Sequence, residues 1–386
     1  MYNPVFSGVD HFLEHYIGRK QQRLALVTNH AATTFSGERS FVALQQHSFR
    51  IVKLFSPEHG ITSTGEDGAP QQNTVEPATG LPIISLYGNK LAPAEEDLEE
   101  VNAVLFDIPD VGCRFYTYLW TMTHVMEACA QFNKPLILLD RPNPIGALLE
   151  EAEGPFLDEQ NCSSFIGRWN IPLKHACTLG ELAQYFAATR IPHLQLEVIP
   201  VQNYHRHYRA GQQFSFVPTS PAIQRIEAAM LYPGMGLLEG IEINEGRGTS
   251  FPFEQFGAPW INGEELQQLL QPQLPFVEIA AVTYTPLSGV YANKQCRGVR
   301  LTVTDSQSFK AVETGIIVLQ TLLKTYPQHI KERLYTTHAN PTGAGHMDKL
   351  LGVKNALEKI PIRSPENFTV ANKWQATMRP YLLYTN

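Results

Sequence analysis

Residues 24–27 read LALV and run straight into Thr28-Asn29-His30. The same construction recurs along the first half of the chain. IVKLF (51–55) runs into Ser56-Pro57-Glu58-His59-Gly60, AVLF (103–106) into Asp107-Ile108-Pro109-Asp110, and LILL (136–139) into Asp140-Arg141-Pro142-Asn143-Pro144. PIISL (82–86) is a further run of the same kind. Apolar runs this short and continuous suit strands buried on both faces, as in a parallel sheet covered by helices. The stretches between them, such as 118–132, are long enough for crossover helices. The expected fold is therefore α/β, with a mainly parallel sheet.

Around Asn262 the texture changes. Residues 251–262 are crowded with Pro, Gly and aromatics, and GEELQQLL (263–270) then reads as a helix. GVRLTVT (298–304) alternates like a half-exposed strand. Residues 308–325 have helical spacing, with Val312, Ile316, Leu319 and Leu323 as the apolar stripe. These features predict a sheet domain over 1–262 and a smaller α+β domain over 263–386.

In an open parallel sheet, ligands bind beyond the carboxyl ends of the strands. Four strand ends each deliver carboxylates, imidazoles or amides to that edge, and this convergence marks it as a site. Taken singly, Asp107 or Asp140 equally suits an N-cap or an Asx turn, and the Pro and Gly of PEHG and RPNP suit plain turns. A fifth cluster is Asn244-Glu245-Gly246-Arg247-Gly248-Thr249, followed by Glu254. Its glycines permit close backbone approach while the guanidinium forks onto a carboxylate or phosphate; a tight turn with a structural Glu–Arg pair fits as well. Arg114-Phe115-Tyr116-Thr117-Tyr118 supplies aromatics suited to a pocket wall or a core.

Composition and motifs exclude several functions. The 386 residues carry 30 Lys plus Arg against 37 Asp plus Glu, a net charge of −7. Nucleic-acid binding calls for a basic surface, so no nucleic-acid partner is expected. No apolar run approaches roughly 18 residues, so no membrane span is expected. Five scattered cysteines without CxxC spacing predict reduced thiols, and no metal. His205 and His207 would share one face of a strand, but no third ligand accompanies them. Gly234, Gly236 and Gly240 have the wrong spacing and place for a dinucleotide fingerprint, GxxxxGK[ST] is missing, and Ser220 has no GxSxG context. No cofactor is expected. The N-terminus has no basic and apolar leader pattern, which predicts a cytoplasmic protein unless a leader has been removed.

Carboxylates and aromatics without a cofactor suit glycoside hydrolysis, in which one acid protonates the leaving oxygen and a second carboxylate stabilises, attacks or activates water. Arginines in the same site suit an anionic substrate. A non-catalytic protein binding an acidic sugar would carry the same residues, and a phosphate-ester enzyme would need a phosphate cradle that the sequence does not display.

The ordered segments LVTNHAA, FSPEHG, LFDIPDVGCRFYTYLWTM, LLDRPNPIG and EGIEINEGRGTSFPFEQFGAPW closely resemble the bacterial exo-acting β-N-acetylmuramidases of glycoside hydrolase family 171, formerly a domain of unknown function. The resemblance covers essentially the whole chain. It implies a Rossmann-like N-terminal domain, a smaller C-terminal domain and an active site in the cleft between them. The implied substrate is a small carbohydrate, a peptidoglycan fragment with a terminal non-reducing N-acetylmuramic acid (MurNAc) such as MurNAc-GlcNAc. The PEHG glutamate, Glu58, is the implied catalytic acid, with His59 tuning it, and the acid role calls for a raised carboxyl pKa. Glu245 is assigned as the second carboxylate, with Asp110 and Asp140 as alternates or sugar-hydroxyl binders, although the 2-acetamido group of the sugar is an alternative nucleophile; a non-catalytic muropeptide-binding protein is the alternative reading of the same cleft. Arg247, with Arg114 and Arg141 as alternates, is expected to meet the lactyl carboxylate of MurNAc. Asn29, His30, Asp107, Asp110, Tyr116, Tyr118, Asp140, Asn143 and Glu254 complete the expected binding residues.

Overall fold

The computed structural model describes residues 3–66, 68–338, 340–368 and 372–386. The expected apolar runs are strands: β1 (Leu24–Thr28), β2 (Ile51–Ser56), β4 (Pro82–Ser85), β5 (Ala103–Asp107) and β6 (Leu136–Leu139). Every residue of β1, β5 and β6 is buried, as strands covered on both faces must be. The short β3 (Thr74–Val75) and β7 (Leu196–Ile199) join them at the two edges. The sequence hides β7 because Glu197 interrupts its apolar run and faces outward to pair with Arg19 at 2.5 Å.

The sheet order is β3-β4-β2-β1-β5-β6-β7. All pairings are parallel except β3 with β4. This is the Rossmann-like arrangement, and its direction of winding reverses between β1 and β5, where loops diverge and leave a crevice. Helices Ser40–Gln46, Thr117–Gln131 and Leu179–Thr189 lie between successive strands. The last begins in a capping box: Thr178 accepts from the Glu181 amide at 3.3 Å while Glu181 accepts from the Thr178 amide at 3.1 Å.

The second sheet is antiparallel, in the order β8 (Gln255–Ala258), β10 (Cys296–Val303), β9 (Val277–Tyr284). β10 is the strand expected at 298–304. β8 joins this sheet from within the span 1–262 assigned to the first domain, because its backbone pairs with β10. The expected helices are present at Gly263–Leu270 and Ala311–Thr325. On the latter Val312, Ile316 and Leu319 are fully buried, whereas Leu323 is half-buried and Leu322 takes its place inside. Among the described residues no helix is long and apolar enough to cross a membrane.

Helix Ile226–Met235 leads into the second unit and crosses Ala311–Thr325 at a glycine pair, where a Cβ on Gly234 would sit 1.9 Å from the Ala311 carbonyl oxygen and one on Gly315 would sit 2.4 Å from that of Gly234. Two devices join the units. Glu153 caps Ala311–Thr325 from the other unit, accepting from the amides of Ala311 at 3.1 Å and Val312 at 2.9 Å. Arg114, fully buried, donates from Nη1 to the carbonyls of Pro155 (2.7 Å) and Ile171 (2.9 Å), and from Nη2 to those of Leu350 (3.1 Å) and Leu351 (2.8 Å).

Removing that guanidinium strands buried carbonyls, at about 1–3 kcal/mol for each group left unsatisfied. Arg114→Met is expected to lower the thermal unfolding midpoint by at least about 5 °C. A melting curve that overlays the parent would show that Arg114 does not hold the units together.

Candidate active site

The chain leaving β2 turns sharply. His59 and Gly60 both take left-handed backbone conformations, with φ of +66° and +70°. The turn folds the following residues back, so that His59 Nδ1 donates to the Gly65 carbonyl at 2.8 Å; a carbonyl only accepts, so Nδ1 carries the proton. Further along, the Gly68 amide donates to Glu58 Oε1 at 2.8 Å. Gly68 has φ +69°, and a Cβ there would lie 2.6 Å from Thr337 Cγ2. The His338 amide also donates to the Gly68 carbonyl, at 3.3 Å. A loop of the second unit thus braces the residue that holds Glu58.

Glu58 and His59 line a cleft between the units together with Tyr87, Tyr116, Phe165, Ser220, Tyr232, Glu239, Arg247, Phe253, Tyr335, His346 and Lys349. Burial pushes the Tyr116 hydroxyl far above the ordinary tyrosine range, so it is a neutral group, donating to Thr219 Oγ1 at 2.8 Å. Tyr118 stands behind, fully buried, donating to the Thr219 carbonyl at 2.9 Å with its ring edge-on to His59 at 6.4 Å.

The Gly-Arg-Gly cluster folds tightly on itself. Gly246 has φ +83°, and a Cβ there would meet the Phe251 carbonyl oxygen at 2.4 Å. This path lets Arg247 face two carboxylates: Nε lies 3.1 Å from both Glu239 Oε1 and Glu245 Oε1, and Nη2 lies 2.7 Å from Glu239 Oε1. The guanidinium also sits over Phe253, 5.0 Å from the ring centre. Glu245 itself is fully buried, is also approached by Arg333 at 3.5 Å, and is not among the cleft-lining residues, which corrects its assignment as the second carboxylate. The carboxylate that lines the cleft beside Arg247 is instead Glu239, in the short turn Gly236–Gly240. Sequence reasoning missed it because a spacing of eight residues to Arg247 follows no local rule.

Most of the other expected residues are structural. Asp107 is fully buried and holds Arg141 in a fork, at 2.6 and 2.9 Å. Asp140 accepts from Thr178 Oγ1 (2.7 Å), the Gly180 amide (2.8 Å) and the Tyr384 hydroxyl (2.5 Å), tying the helix start and the C-terminal tail to β6; burial raises its pKa. Asn143 binds the Cys177 carbonyl at 3.0 Å and the Ile145 amide at 3.1 Å. Asn29 is fully buried and makes an Asx contact to the Ala31 amide at 3.1 Å, while His30 stacks on Phe41 and burial lowers its pKa. Glu254 pairs with Arg225 at 2.6 and 2.5 Å, outside the cleft. Asp110 accepts from the Gly112 amide (2.8 Å) and His175 Nε2 (3.2 Å), and with Arg141 it borders a separate groove beyond β5 and β6. Arg114 is the joint described above, not a substrate contact. His205 and His207 lie in a turn rather than on a strand, with rings 5.7 Å apart.

His346 and Lys349, from the second unit, carried no motif. His346 stacks on Tyr335 with centroids 4.4 Å apart; burial first, then Arg333, Lys349 and Arg247, pushes its pKa down to about 3. Its imidazole is therefore uncharged at neutral pH.

A Rossmann-like sheet whose cleft collects two glutamates, a forked arginine and aromatic walls defines an α/β enzyme of the glycosidase type. Residues 24–227 match the family profile described as exo-beta-N-acetylmuramidase NamZ, N-terminal, and residues 230–384 match its C-terminal counterpart; the chain belongs to this family. It is 36% identical over 384 residues, 98% of this chain and 91% of the relative, to the peptidoglycan beta-N-acetylmuramidase NamZ of Bacillus subtilis (strain 168). Two crystal structures of DUF1343 family proteins from Bacteroides fragilis are similar. One has TM-score 0.86 and 27% identity, covering 99% of both chains; the other has TM-score 0.74 and 28% identity, covering 100% of both.

Gly68→Ala forces a strained backbone and a clash with Thr337, displacing the amide that holds Glu58. Misplacement of this order costs up to about 100-fold in rate. The variant is expected to lose at least about tenfold in kcat on a chromogenic MurNAc glycoside with an unchanged circular dichroism spectrum; undiminished kcat would show that the brace does not position Glu58.

Proposed function

We propose that the protein is an exo-β-N-acetylmuramidase that removes the terminal non-reducing MurNAc from peptidoglycan fragments such as MurNAc-GlcNAc, in cell-wall turnover or recycling. The observation that carries this reading is that one unit contributes Glu58 and the other the Glu239–Arg247 pair to the same aromatic-walled cleft. Glu58 is the proton donor: as the bond from the anomeric carbon to the leaving oxygen breaks, its proton passes to that oxygen. Glu239, fixed by Arg247, is the second carboxylate, facing the positive charge that develops on the sugar ring or orienting the attacking water. His59 positions rather than reacts, since its Nδ1 proton is committed to Gly65. Gly68 and Thr337 meet at the cleft and both line it, so the two units approach each other closely beside Glu58.

General acid catalysis contributes about 10²- to 10⁴-fold. Glu58→Gln is expected to lose that much in MurNAc release from a chromogenic MurNAc glycoside while melting at the parental temperature. Near-parental turnover would remove Glu58 from the mechanism. Glu239→Gln is expected to lower kcat at least about tenfold with little change in KM, since a group acting on the transition state leaves substrate binding intact; a pure KM effect would make it a binding residue.

A further inference from the structure

Helix His346–Leu351 brings two polar side chains to the cleft, His346 and Lys349, one turn apart and so on one side of the helix. Its far end is held by the bonds from Arg114 to the carbonyls of Leu350 and Leu351. His346 is 6% exposed, and its Nε2 is buried with no hydrogen-bond partner. The ring cannot swing away to find one, because it stacks on Tyr335 at an interplanar angle of 12°, and Arg333 covers the same tyrosine at 4.5 Å. A buried polar atom left unsatisfied is costly unless a ligand completes it.

Lys349 is also incomplete. Its ammonium has three N–H donors, and those it uses go to neutral acceptors, Asn340 Oδ1 at 2.8 Å and the Ala344 carbonyl at 3.0 Å. Among the described residues no carboxylate lies within ion-pair distance of it. Arg247, the other cleft-lining residue of the Lys/Arg type, stands differently: two glutamates face it, so its charge is already offset. An anion entering beside Glu58 and Glu239 is repelled by both and needs a cation whose charge is not so opposed.

We propose that Lys349 and His346 form the subsite that reads a carboxylate carried on the sugar ring by a short ether arm, Lys349 supplying the charge and His346 an uncharged Nε2–H donor. The inference rests on the muramidase reading above, under which that carboxylate is the lactyl group. It moves the contact expected of Arg247 to Lys349. A site built to pair a charged group discriminates strongly against an analogue lacking the charge.

The test uses the full chain and two substrates of nearly equal shape, a chromogenic MurNAc glycoside and its lactyl methyl ester, which carries no charge. The parent is expected to prefer the free acid. In Lys349→Met the ratio of kcat/KM for acid over ester is expected to fall about 10- to 100-fold, mainly through KM on the acid, as loss of a charge-assisted bond predicts. Lys349→Arg is expected to keep most of the ratio and His346→Gln to lose part of it. Should Lys349→Met fail to fold, these two variants carry the test: an unchanged ratio in His346→Gln together with a lost one in Lys349→Arg would overturn the pairing. Equal losses on acid and ester in Lys349→Met would make the lysine structural, and an undiminished ratio would place the carboxylate elsewhere; either result overturns this inference alone. A parent inactive on both glycosides would overturn the muramidase reading and this inference with it.

Discussion

The docking of the two units centres on one buried guanidinium. Arg114 reaches four backbone carbonyls, and among the described residues no carboxylate pairs with it. Burial lowers its pKa to about 10, which leaves it charged at neutral pH. A charge removed from water in this way is tolerable only when its donors are satisfied. The carbonyls come from both units, so the Nη1 and Nη2 donors are satisfied only when the units are docked, while Nε has no partner among the described residues. The cost of burying it therefore becomes a condition on docking. Gly352 makes the approach possible, since a Cβ there would lie 2.4 Å from Arg114 Nη2. The same bonds set the position of helix His346–Leu351, and so the wall of the cleft that faces the sheet.

The acidic surplus of the chain is largely structural. Asp140, Glu153 and Glu181 accept from backbone amides at helix starts, where a carboxylate also meets the positive end of the helix dipole. Asp107 is spent on Arg141. Glu245 lies beneath the cleft between Arg247 and Arg333. What reaches the cleft from this acidic chain is chiefly Glu58 and Glu239, with Arg247 and Lys349 opposing them. A net charge of −7 thus describes the scaffold more than the chemistry.

The strands were legible because burial on both faces leaves an uninterrupted apolar signature, and because polar residues must stop each strand at the ligand-binding edge. What that edge does with each polar residue was not legible. Asp107, Asp140 and Glu58 all follow apolar runs, yet only Glu58 lines the cleft, since β2 lies on the side of the β1/β5 reversal that the second unit covers. The ends of β5 and β6 border another groove. Glu239 was passed over for Glu245, although both lie in EGIEINEGRG, because the bends at Gly246 and Gly248 decide which of them faces out. HMDKLL, which carries His346 and Lys349, reads as an ordinary helix turn.

The sequence by itself determined a Rossmann-like α/β unit followed by a smaller unit, the ordered motifs of the muramidase family, and Glu58 as the leading acid, since periodicity and motif order are local properties of the chain. Only the tertiary structure decided which carboxylates share a cleft, which arginines are joints, and which cleft cation has carboxylates held against it. Those outcomes depend on contacts between segments as distant as Arg114 and Leu351, or Gly68 and Thr337, and desolvation there turns identical side chains into caps, joints or reacting groups.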